Sequence, residues 1–138
     1  NRQKEWQYCE GLGCIEPETG KNTMAEDCLF CKMVAGEVPC DKVYEDDDFL
    51  AFRDINPQAP THVLVIPKRH IARISDAEPA DADLLGRLLL VANQVGESEE
   101  IVEPGMRYVI STNPAGGQDI YHIHLHVLGG RQMTWPPG

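Results

Sequence analysis

Three histidines occupy alternate positions near the C-terminus of the chain: His122, His124 and His126. A repeat of two is the period of a β-strand, so the sequence predicts one strand with the three imidazoles on one face, about 7 Å apart. The apolar residues that alternate with them then project from the opposite face and can be buried. Imidazole titrates near neutral pH and acts as nucleophile, acid, base or metal ligand, so this face is the first candidate for chemistry.

Three uses of this histidine face compete on the residue pattern alone. Positions i, i+2 and i+4 of one strand are widely spread for a single metal ion, and buried imidazoles bonded to backbone account for one histidine more readily than for three. In nucleophilic catalysis, a central imidazole attacks an electrophile while its neighbours orient it and assist the leaving group. The preceding glycine-rich run at 115–118, with Gly117 and Gln118, favours this third use, because glycines let backbone N–H groups approach a phosphate closely.

The elements that must position these residues follow from periodicity and turn signals. The order is a short helix, three strands, a long helix and two strands, which is typical of an α+β domain with one mainly antiparallel five-stranded sheet. The predicted strands before the histidine strand cover residues 42–45, 49–53, 62–67 and 108–111, and a loop is predicted at 113–118.

Both helices carry signals at their ends. Asp27 is the predicted N-cap of the short helix, and Gly36 closes it. A capping-box spacing at Ser75 and Glu78 precedes the long helix, which is predicted over residues 81–95. The apolar stripe of the long helix predicts its buried face: Leu84, Leu85, Leu88, Leu89, Ala92 and Val95.

Composition argues against several classes of function. The formal net charge of −10 repels a phosphate backbone, so no nucleic-acid partner is expected. No apolar run reaches the about 18 residues of a transmembrane helix, so no membrane partner is expected. Five cysteines, an odd number, without a visible secretory signal indicate reduced thiols in the cytoplasm, or metal ligands, rather than a disulfide framework. Residues 1–23 are predicted to be an extension of unknown role, and one domain is predicted over residues 24–138.

Longer segments around these residues resemble a known family. The run H-I-H-L-H-V-L resembles the histidine triad (HIT) signature, in which alternate histidines precede apolar residues. Residues 51–71 resemble the nucleotide-binding half of that family, and residues 116–138 resemble its Hint branch, including the C-terminal tail. The resemblance covers residues 26–138 and implies a HIT fold that forms a homodimer, in which two five-stranded sheets join into a ten-stranded one.

The resemblance also implies a reaction. Hint proteins are purine nucleoside phosphoramidases, which hydrolyse the phosphorus–nitrogen bond of AMP-amine conjugates through a nucleotidyl-histidine intermediate and require no catalytic metal. By position, His124 matches the nucleophile, and His126 matches the residue that contacts the phosphate and helps the leaving group. His122 matches the first histidine of the triad, and His62 matches an upstream supporting histidine.

Individual positions match different parts of a nucleotide site. Asp54 matches the carboxylate that holds the ribose hydroxyls, whereas Ile55 and Phe30 match the lining of the base pocket. Without the resemblance, a turn cap would be the preferred interpretation of Asp54. Trp135 belongs to a tail that, in Hint proteins, reaches the partner subunit's active site. A frayed terminus is the alternative from sequence alone.

Two positions depart from the common Hint pattern. Asp119 stands where many members carry Ser, and a carboxylate there favours a cationic leaving amine over one that bears a carboxylate. Ser111 stands where some members have an Asn that helps to bind the phosphate region. Both are predicted to affect leaving-group preference and to leave the nucleophile unchanged.

A second candidate site begins with the Cys-x-x-Cys spacing of Cys28 and Cys31. Redox chemistry would need a thioredoxin-like βαβ context, which the pattern lacks, and two half-buried packing thiols are the simplest alternative. The resemblance adds His70, from a Pro-Lys-x-His run, and His122 as further ligands. Two cysteines and two histidines fit a closed tetrahedral site, so structural zinc is predicted.

Two other functions stay open at this point. One is a dinucleoside polyphosphate hydrolase of the same superfamily, against which the Trp-Pro-Pro-Gly end of the chain argues. The other is a purine-nucleotide-binding regulatory module with incidental turnover, because binding and catalytic residues coincide. Turnover of an AMP-amine beside diadenosine substrates separates all three.

Overall fold

A computed structural model of the chain describes residues 25–138, and the predicted extension at 1–23 lies outside the described residues. The predicted order of α-helices and strands is confirmed, with one additional short α-helix and three 3₁₀ turns within the described residues. The helices and strands are α1 (Leu29–Val34), β1 (Lys42–Glu45), β2 (Phe49–Arg53), β3 (Thr61–Pro67), α2 (Ala82–Ser98), β4 (Met106–Val109), α3 (Asn113–Gly116) and β5 (Leu125–Gly129).

The five strands form one antiparallel sheet in the order β1-β2-β3-β5-β4. This confirms the α+β class and the five-stranded sheet. The register between β3 and β5 pairs Leu64 with His126 and His62 with Leu128. His62 and His126 are therefore diagonal neighbours on one face of the sheet, within reach of each other.

Strand residues alternate between two hydrophobic cores, one on each face of the sheet. The larger core lies under α2, where Val63, Leu125 and Val127 pack with Leu88 and Val95. The smaller core lies under α1 and contains Cys28, Phe30, Leu50, Phe52, Leu64 and Ile66. Because Ile123 also belongs to the larger core, the face opposite the histidines is buried, as their alternation predicted.

The histidine strand is shorter than predicted, because β5 begins at Leu125 and both His122 and His124 precede it. The neighbouring strand β3 ends at Pro67, which has no N–H to continue a ladder. The backbone N–H of Ile123 donates to the Ile71 carbonyl at 2.8 Å. The ring centroids of His124 and His126 lie 5.0 Å apart, closer than the strand spacing predicted.

Two further element predictions were wrong in detail. Strand β4 covers Met106–Val109 instead of 108–111, since its partner β5 ends its pairing at His126, opposite Val109. The predicted loop at 113–118 contains helix α3, with Pro in its first turn and Gly117 at φ +93° just after its end. That arrangement of Pro and Gly is a helix signal that the glycine-rich composition obscured.

Gly36 closes α1 as predicted, at φ +81° just after the C-cap, but the predicted helix starts need correction. Cys28, rather than Asp27, caps α1, because its Sγ accepts the Cys31 N–H at 3.3 Å. At the start of α2, the Glu78 N–H donates to Asp81 Oδ2 at 2.9 Å, so the capping interaction lies three residues beyond Ser75. Leu89 is 46% exposed, because it is rotated by about 100° from Leu88 around the helix axis.

No helix within residues 25–138 combines the length and the apolar character needed to cross a bilayer.

Candidate active site

One ring nitrogen of His124 is hydrogen-bonded within the protein, and the other is available to react. Its Nδ1 lies 2.8 Å from the backbone carbonyl of His122, and a carbonyl only accepts, so Nδ1 carries the proton. The lone pair of the neutral ring is then on Nε2. The Phe30 ring packs edge-on against the His124 ring at 5.2 Å, and His124 is 7% exposed. The side chain is therefore held as a neutral imidazole with its nucleophilic nitrogen defined.

A chain of hydrogen bonds gives His126 the opposite proton arrangement. The Gln58 N–H donates to His62 Nδ1 at 3.0 Å, so neutral His62 carries its proton on Nε2. That Nε2–H donates to His126 Nδ1 at 2.9 Å, which leaves the His126 proton on Nε2. Neighbouring histidines thus offer a bare Nε2 on His124 and an Nε2–H on His126.

Asp54 stands beside this relay. Its Oδ2 lies 3.5 Å from His62 Nε2, while its Oδ1 accepts the Asn56 N–H at 2.8 Å. Asp54 can therefore cap the turn and also belong to the site, because each of its two carboxylate oxygens has a separate neighbour.

Burial keeps these imidazoles neutral. It lowers the pKa of His126 to about 4, aided by the neighbouring rings of His124 and His62 and opposed by the Asp54 and Asp119 carboxylates. Burial likewise lowers the pKa of His62 and of His124, the latter against its bond to the His122 carbonyl. The pKa of His122 is lowered to about 4 by the same cause. Near neutral pH, all four rings can act as lone-pair donors or N–H donors.

These shifts predict that acid destabilises the fold. Each of the four histidines has a pKa below its ordinary 6.5, so the unfolded chain binds more protons as the pH falls from 6.5 toward about 4. We expect the free energy of unfolding to decrease across that window. Urea unfolding of chelator-treated protein over a pH series measures the slope. His126→Asn removes one titrating ring and should flatten the slope, whereas equal slopes in both proteins would contradict the assignment.

The glycine-rich loop lies beside the same site. The last pair in the register of β4 and β5 is Val109 with His126, and Ser111 follows Val109 by two residues. The Ser111 hydroxyl lies 3.9 Å from the point where a side-chain carbon on Gly117 would stand. The Gln118 Nε2 donates to the Ala72 and Ile120 carbonyls at 2.8 and 3.1 Å. The buried Gln118 amide therefore holds the loop together, and its direct contact with a substrate stays a prediction.

The remaining predicted contacts lie at the rim of the single chain. Asp119 is exposed, but its negative charge opposes the lowering of the pKa of His124 and His126 by burial, which places it electrostatically at the site. Ile55 is 99% exposed and Trp135 is 81% exposed, so neither is enclosed by this chain alone. Their contacts with a nucleotide stay predictions.

The structure brings the four predicted metal ligands together. His122 Nδ1 lies 3.3 Å from Cys28 Sγ, 3.5 Å from Cys31 Sγ and 3.2 Å from His70 Nδ1. Cys31 Sγ and His70 Nδ1 are 3.4 Å apart. Tetrahedral zinc with its usual bond lengths requires S···N edges of about 3.5 Å and N···N edges of about 3.3 Å. These four separations are already close to those values, and all four donor atoms lie within 4.8 Å of one another.

Proton positions also fit a metal at this cluster. The Pro67 carbonyl accepts a bond from His122 Nε2 at 2.7 Å, so the lone pair of neutral His122 is on Nδ1, which faces the sulfur atoms. A second group within 4.8 Å, formed by Asp54, His62 and His126, fits a metal poorly. A metal on His62 Nε2 would displace the proton to Nδ1, where the Gln58 N–H already donates. One cluster is suited to a metal and the other to proton transfer.

Several groups that set these proton positions were not predicted from the sequence. They are the backbone N–H of Gln58 and the carbonyls of Pro67 and His122, and every residue type offers such groups. Arg131 was also missed, although its Nε and Nη2 donate to the Gln58 carbonyl at 3.2 and 3.1 Å. Its position just after the histidine strand was the only available signal.

The fold and the site together define a class of protein. The neutral imidazole of His124, with a free Nε2, lies beside the imidazole of His126, which carries an Nε2–H, and next to the glycine-rich loop. This arrangement suits attack on an anionic electrophile with transfer of a proton to the leaving group.

Comparison with known proteins agrees with that class. The HIT domain profile matches residues 35–133. A HIT-like protein of Synechococcus elongatus, itself uncharacterized, is 53% identical over 115 residues, covering 83% of this chain and 100% of the relative. The purine nucleoside phosphoramidase of Escherichia coli K12 is 48% identical over 110 residues, covering 80% of this chain and 92% of that protein.

Solved structures show the same relationship. A HIT family hydrolase from Legionella pneumophila Philadelphia 1 superposes with a TM-score of 0.79 at 57% identity, covering 80% of this chain and 99% of that one. A histidine triad nucleotide-binding protein from Candida albicans superposes with a TM-score of 0.68 at 28% identity, covering 79% and 82%. The chain belongs to the HIT family and is a hydrolase, which confirms the resemblance noted in the sequence.

Proposed function

We propose that this hydrolase is a purine nucleoside phosphoramidase that cleaves the phosphorus–nitrogen bond of AMP-amine conjugates. The observation that carries the proposal is the opposite placement of the protons on His124 and His126, whose ring centroids lie 5.0 Å apart. Cleavage of a phosphoramidate needs a nucleophile at phosphorus and a proton for the departing nitrogen, and the two rings supply one each. The 48% identity to the Escherichia coli phosphoramidase supports this substrate class.

In the first step, His124 Nε2 forms a bond to phosphorus and the phosphorus–nitrogen bond breaks. The bound phosphoryl anion favours the imidazolium form of His126, which opposes the effect of burial on its pKa. His126 Nε2 then gives its proton to the leaving nitrogen, so the amine departs neutral. In the imidazolium form His126 Nδ1 carries a proton and donates to His62 Nε2 across the 2.9 Å contact. His62 then carries its own proton on Nδ1, where it accepts from the Gln58 N–H before His126 is protonated.

In the second step, water attacks the nucleotidyl-imidazole. His126, now neutral, accepts a proton from that water through Nε2, and the bond between His124 and phosphorus breaks. AMP is released and both histidines return to their starting states. We assign the ribose hydroxyls to Asp54, a base-pocket wall to Phe30 and Ile55, and the phosphoryl oxygens to the loop with Ser111 and Gly117.

The test compares AMP-amine conjugates with diadenosine polyphosphates as substrates of the same preparation. The proposal expects a higher kcat/KM for the conjugates. Faster cleavage of diadenosine polyphosphates would identify the related dinucleotide hydrolase instead. Tight AMP binding with negligible turnover of either class would point to a nucleotide-binding module.

We propose zinc as the ion held by Cys28, Cys31, His70 and His122. Bound there, it supplies a cross-link between α1, the segment after β3 and the start of the histidine run. Metal analysis of protein purified without added metal should find about one zinc per chain. Cys28→Ser should lose the zinc and lower the Tm. Cys40→Ser, which changes a partly buried thiol packed against the same core, should keep the zinc. A metal-free wild type of full stability would refute the site.

The free thiols of the described residues also bear on the compartment of the cell in which the protein works. Cys28, Cys31 and Cys40 are free cysteines, and metal ligation needs reduced thiolates. We propose that the protein works in a reducing compartment such as the cytoplasm. Disulfide-linked Cys28 and Cys31 in protein isolated under rapid thiol blocking would contradict this.

We propose a homodimer in which β4, an edge strand of the sheet, pairs with its copy to give ten strands. Tyr108 of β4 donates to Asn93 Oδ1 on α2, beside exposed Leu89 and Leu90. An open strand edge with flanking apolar side chains is a surface that proteins normally cover.

A charged substitution on the surface formed by β4 and the exposed leucines of α2 should separate the two subunits. Leu90 is 61% exposed, and Leu90→Glu should convert the dimer to a monomer in sedimentation experiments. Leu29→Glu is the matched control, because Leu29 is 40% exposed on α1, across the sheet. An unchanged mass for Leu90→Glu would reject this interface.

A further inference from the structure

We infer that the cluster of Cys28, Cys31, His70 and His122 also positions the nucleophile, so that metal loading and the reactivity of His124 are coupled. The inference rests on the proposed function, in which His124 attacks phosphorus and the cluster binds zinc. It assigns His122 and Phe30 as positioning residues for His124.

His122 is shared between the two sites. Its side-chain Nδ1 faces both sulfur atoms, at 3.3 and 3.5 Å, and its backbone carbonyl accepts the His124 Nδ1–H at 2.8 Å. Only two rotatable side-chain bonds separate that ring from its own backbone. A ligand that holds the His122 ring in place therefore also restricts the His122 backbone carbonyl. That carbonyl determines which nitrogen of His124 carries the proton and how the His124 ring is oriented.

Phe30 provides a second connection. It lies between Cys28 and Cys31 on α1, and its ring contacts the rings of His124 at 5.2 Å and Phe52 at 5.4 Å. Helix α1 has six residues, a length that is marginal without tertiary anchoring. Ligation of both cysteines would anchor its first turn and hold the Phe30 ring against the nucleophile.

The segment after β3 makes a third connection. The Ile71 carbonyl, next to His70, accepts the Ile123 N–H at 2.8 Å. The following carbonyl, of Ala72, accepts the Gln118 amide at 2.8 Å. Ile123, which precedes His124, and the loop at Gln118 are therefore both tied to a segment that contributes a ligand.

The contacts within the cluster need a metal to be satisfied together. His122 Nδ1 has one lone pair but three neighbours within 3.5 Å, namely two sulfur atoms and His70 Nδ1. Thiols are weak donors, and only one hydrogen bond can form at that lone pair. Without metal, we expect His122 Nδ1 to keep a hydrogen bond to one neighbour and its distances to the other two to increase.

His70→Asn is the variant that isolates this coupling. It removes a ligand that takes no part in the proposed reaction, and Cys40→Ser is the control outside the cluster. In the variant at limiting zinc, kcat should fall at least about tenfold while KM stays within about twofold, because misplaced groups lower kcat more than binding. Added zinc should restore kcat.

The second readout is independent of turnover. In nitrogen-edited NMR spectra, His124 of zinc-loaded wild type should show a protonated Nδ1 in a defined hydrogen bond. Chelator-treated wild type, checked by circular dichroism to be folded below its Tm, should show broadened or shifted His124 signals. This comparison decides the question even if His70→Asn folds poorly.

Two results would overturn the inference. Unchanged His124 signals and an unchanged kcat after zinc removal, with only the Tm lowered, would make the cluster purely structural. A wild type that binds no zinc would remove the coupling together with the zinc site. In either case, turnover of AMP-amine conjugates by wild type would leave the proposed reaction standing.

Discussion

His124→Ala should lower kcat/KM for AMP-amine conjugates by at least about a thousandfold while leaving AMP binding measurable. The variant loses the atom that forms the covalent intermediate, and removal of a covalent nucleophile costs orders of magnitude. Phe30 and Asp54 stay in place, so the proposed nucleotide pocket persists. Single-turnover kinetics measures the loss, and titration calorimetry measures AMP affinity.

A chemical control separates loss of the nucleophile from loss of structure. His124→Gly leaves a space beside the Phe30 ring, and added imidazole should restore part of the turnover there. Cys40→Ser, which changes a side chain outside the proposed reaction, should keep its activity. Turnover of His124→Ala within about tenfold of wild type would reject His124 as nucleophile.

Alternation along the strands was the part of the fold that the sequence specified best. Val63, Leu125 and Val127 fill the core under α2 because side chains two residues apart share a face, whatever their pairing. The same rule assigned the histidines to the other face. Strand ends were predicted less well, because a ladder also needs a partner. Pro67 ends β3, and only the register reveals that His122 and His124 lie beyond the paired residues.

Residue identity was sufficient to predict which four side chains form the candidate metal site and insufficient to predict the proton positions. The four ligands assemble as the family pattern implied, since side-chain type carries that information. Which nitrogen of each ring holds the proton is decided by Gln58 N–H and by the carbonyls of Pro67 and His122. Backbone groups are present at every position, so the fold alone determines which of them meet a histidine.

The three histidines of the triad therefore have three different proposed roles, although they lie on one face of the protein. His122 turns Nδ1 to the cysteines. In the proposed reaction, His124 offers a bare Nε2 to phosphorus and His126 offers an Nε2–H to the leaving group. A spacing of two gives each ring a separate set of backbone neighbours, which permits three different proton arrangements.

His126→Ala should lower turnover by about a hundredfold or more, with a loss that depends on the leaving amine. A general acid matters most when the departing nitrogen is strongly basic, because such an amine leaves poorly without a proton. Conjugates of AMP with alkylamines should therefore lose much more kcat/KM than conjugates with weakly basic arylamines.

The discriminating measurement is a series of AMP amidates with amines of graded basicity, tested in wild type, His126→Ala and His124→Ala. A plot of log kcat/KM against the pKa of the leaving amine should be steeper for His126→Ala than for wild type, since the variant no longer neutralises the developing charge on nitrogen. His124→Ala removes attack itself, so it should depress all substrates by a similar factor. Parallel plots for His126→Ala and wild type would mean that the proton reaches the amine by another route. In that case the Nε2–H that His62 maintains on His126 would serve the phosphoryl oxygens instead.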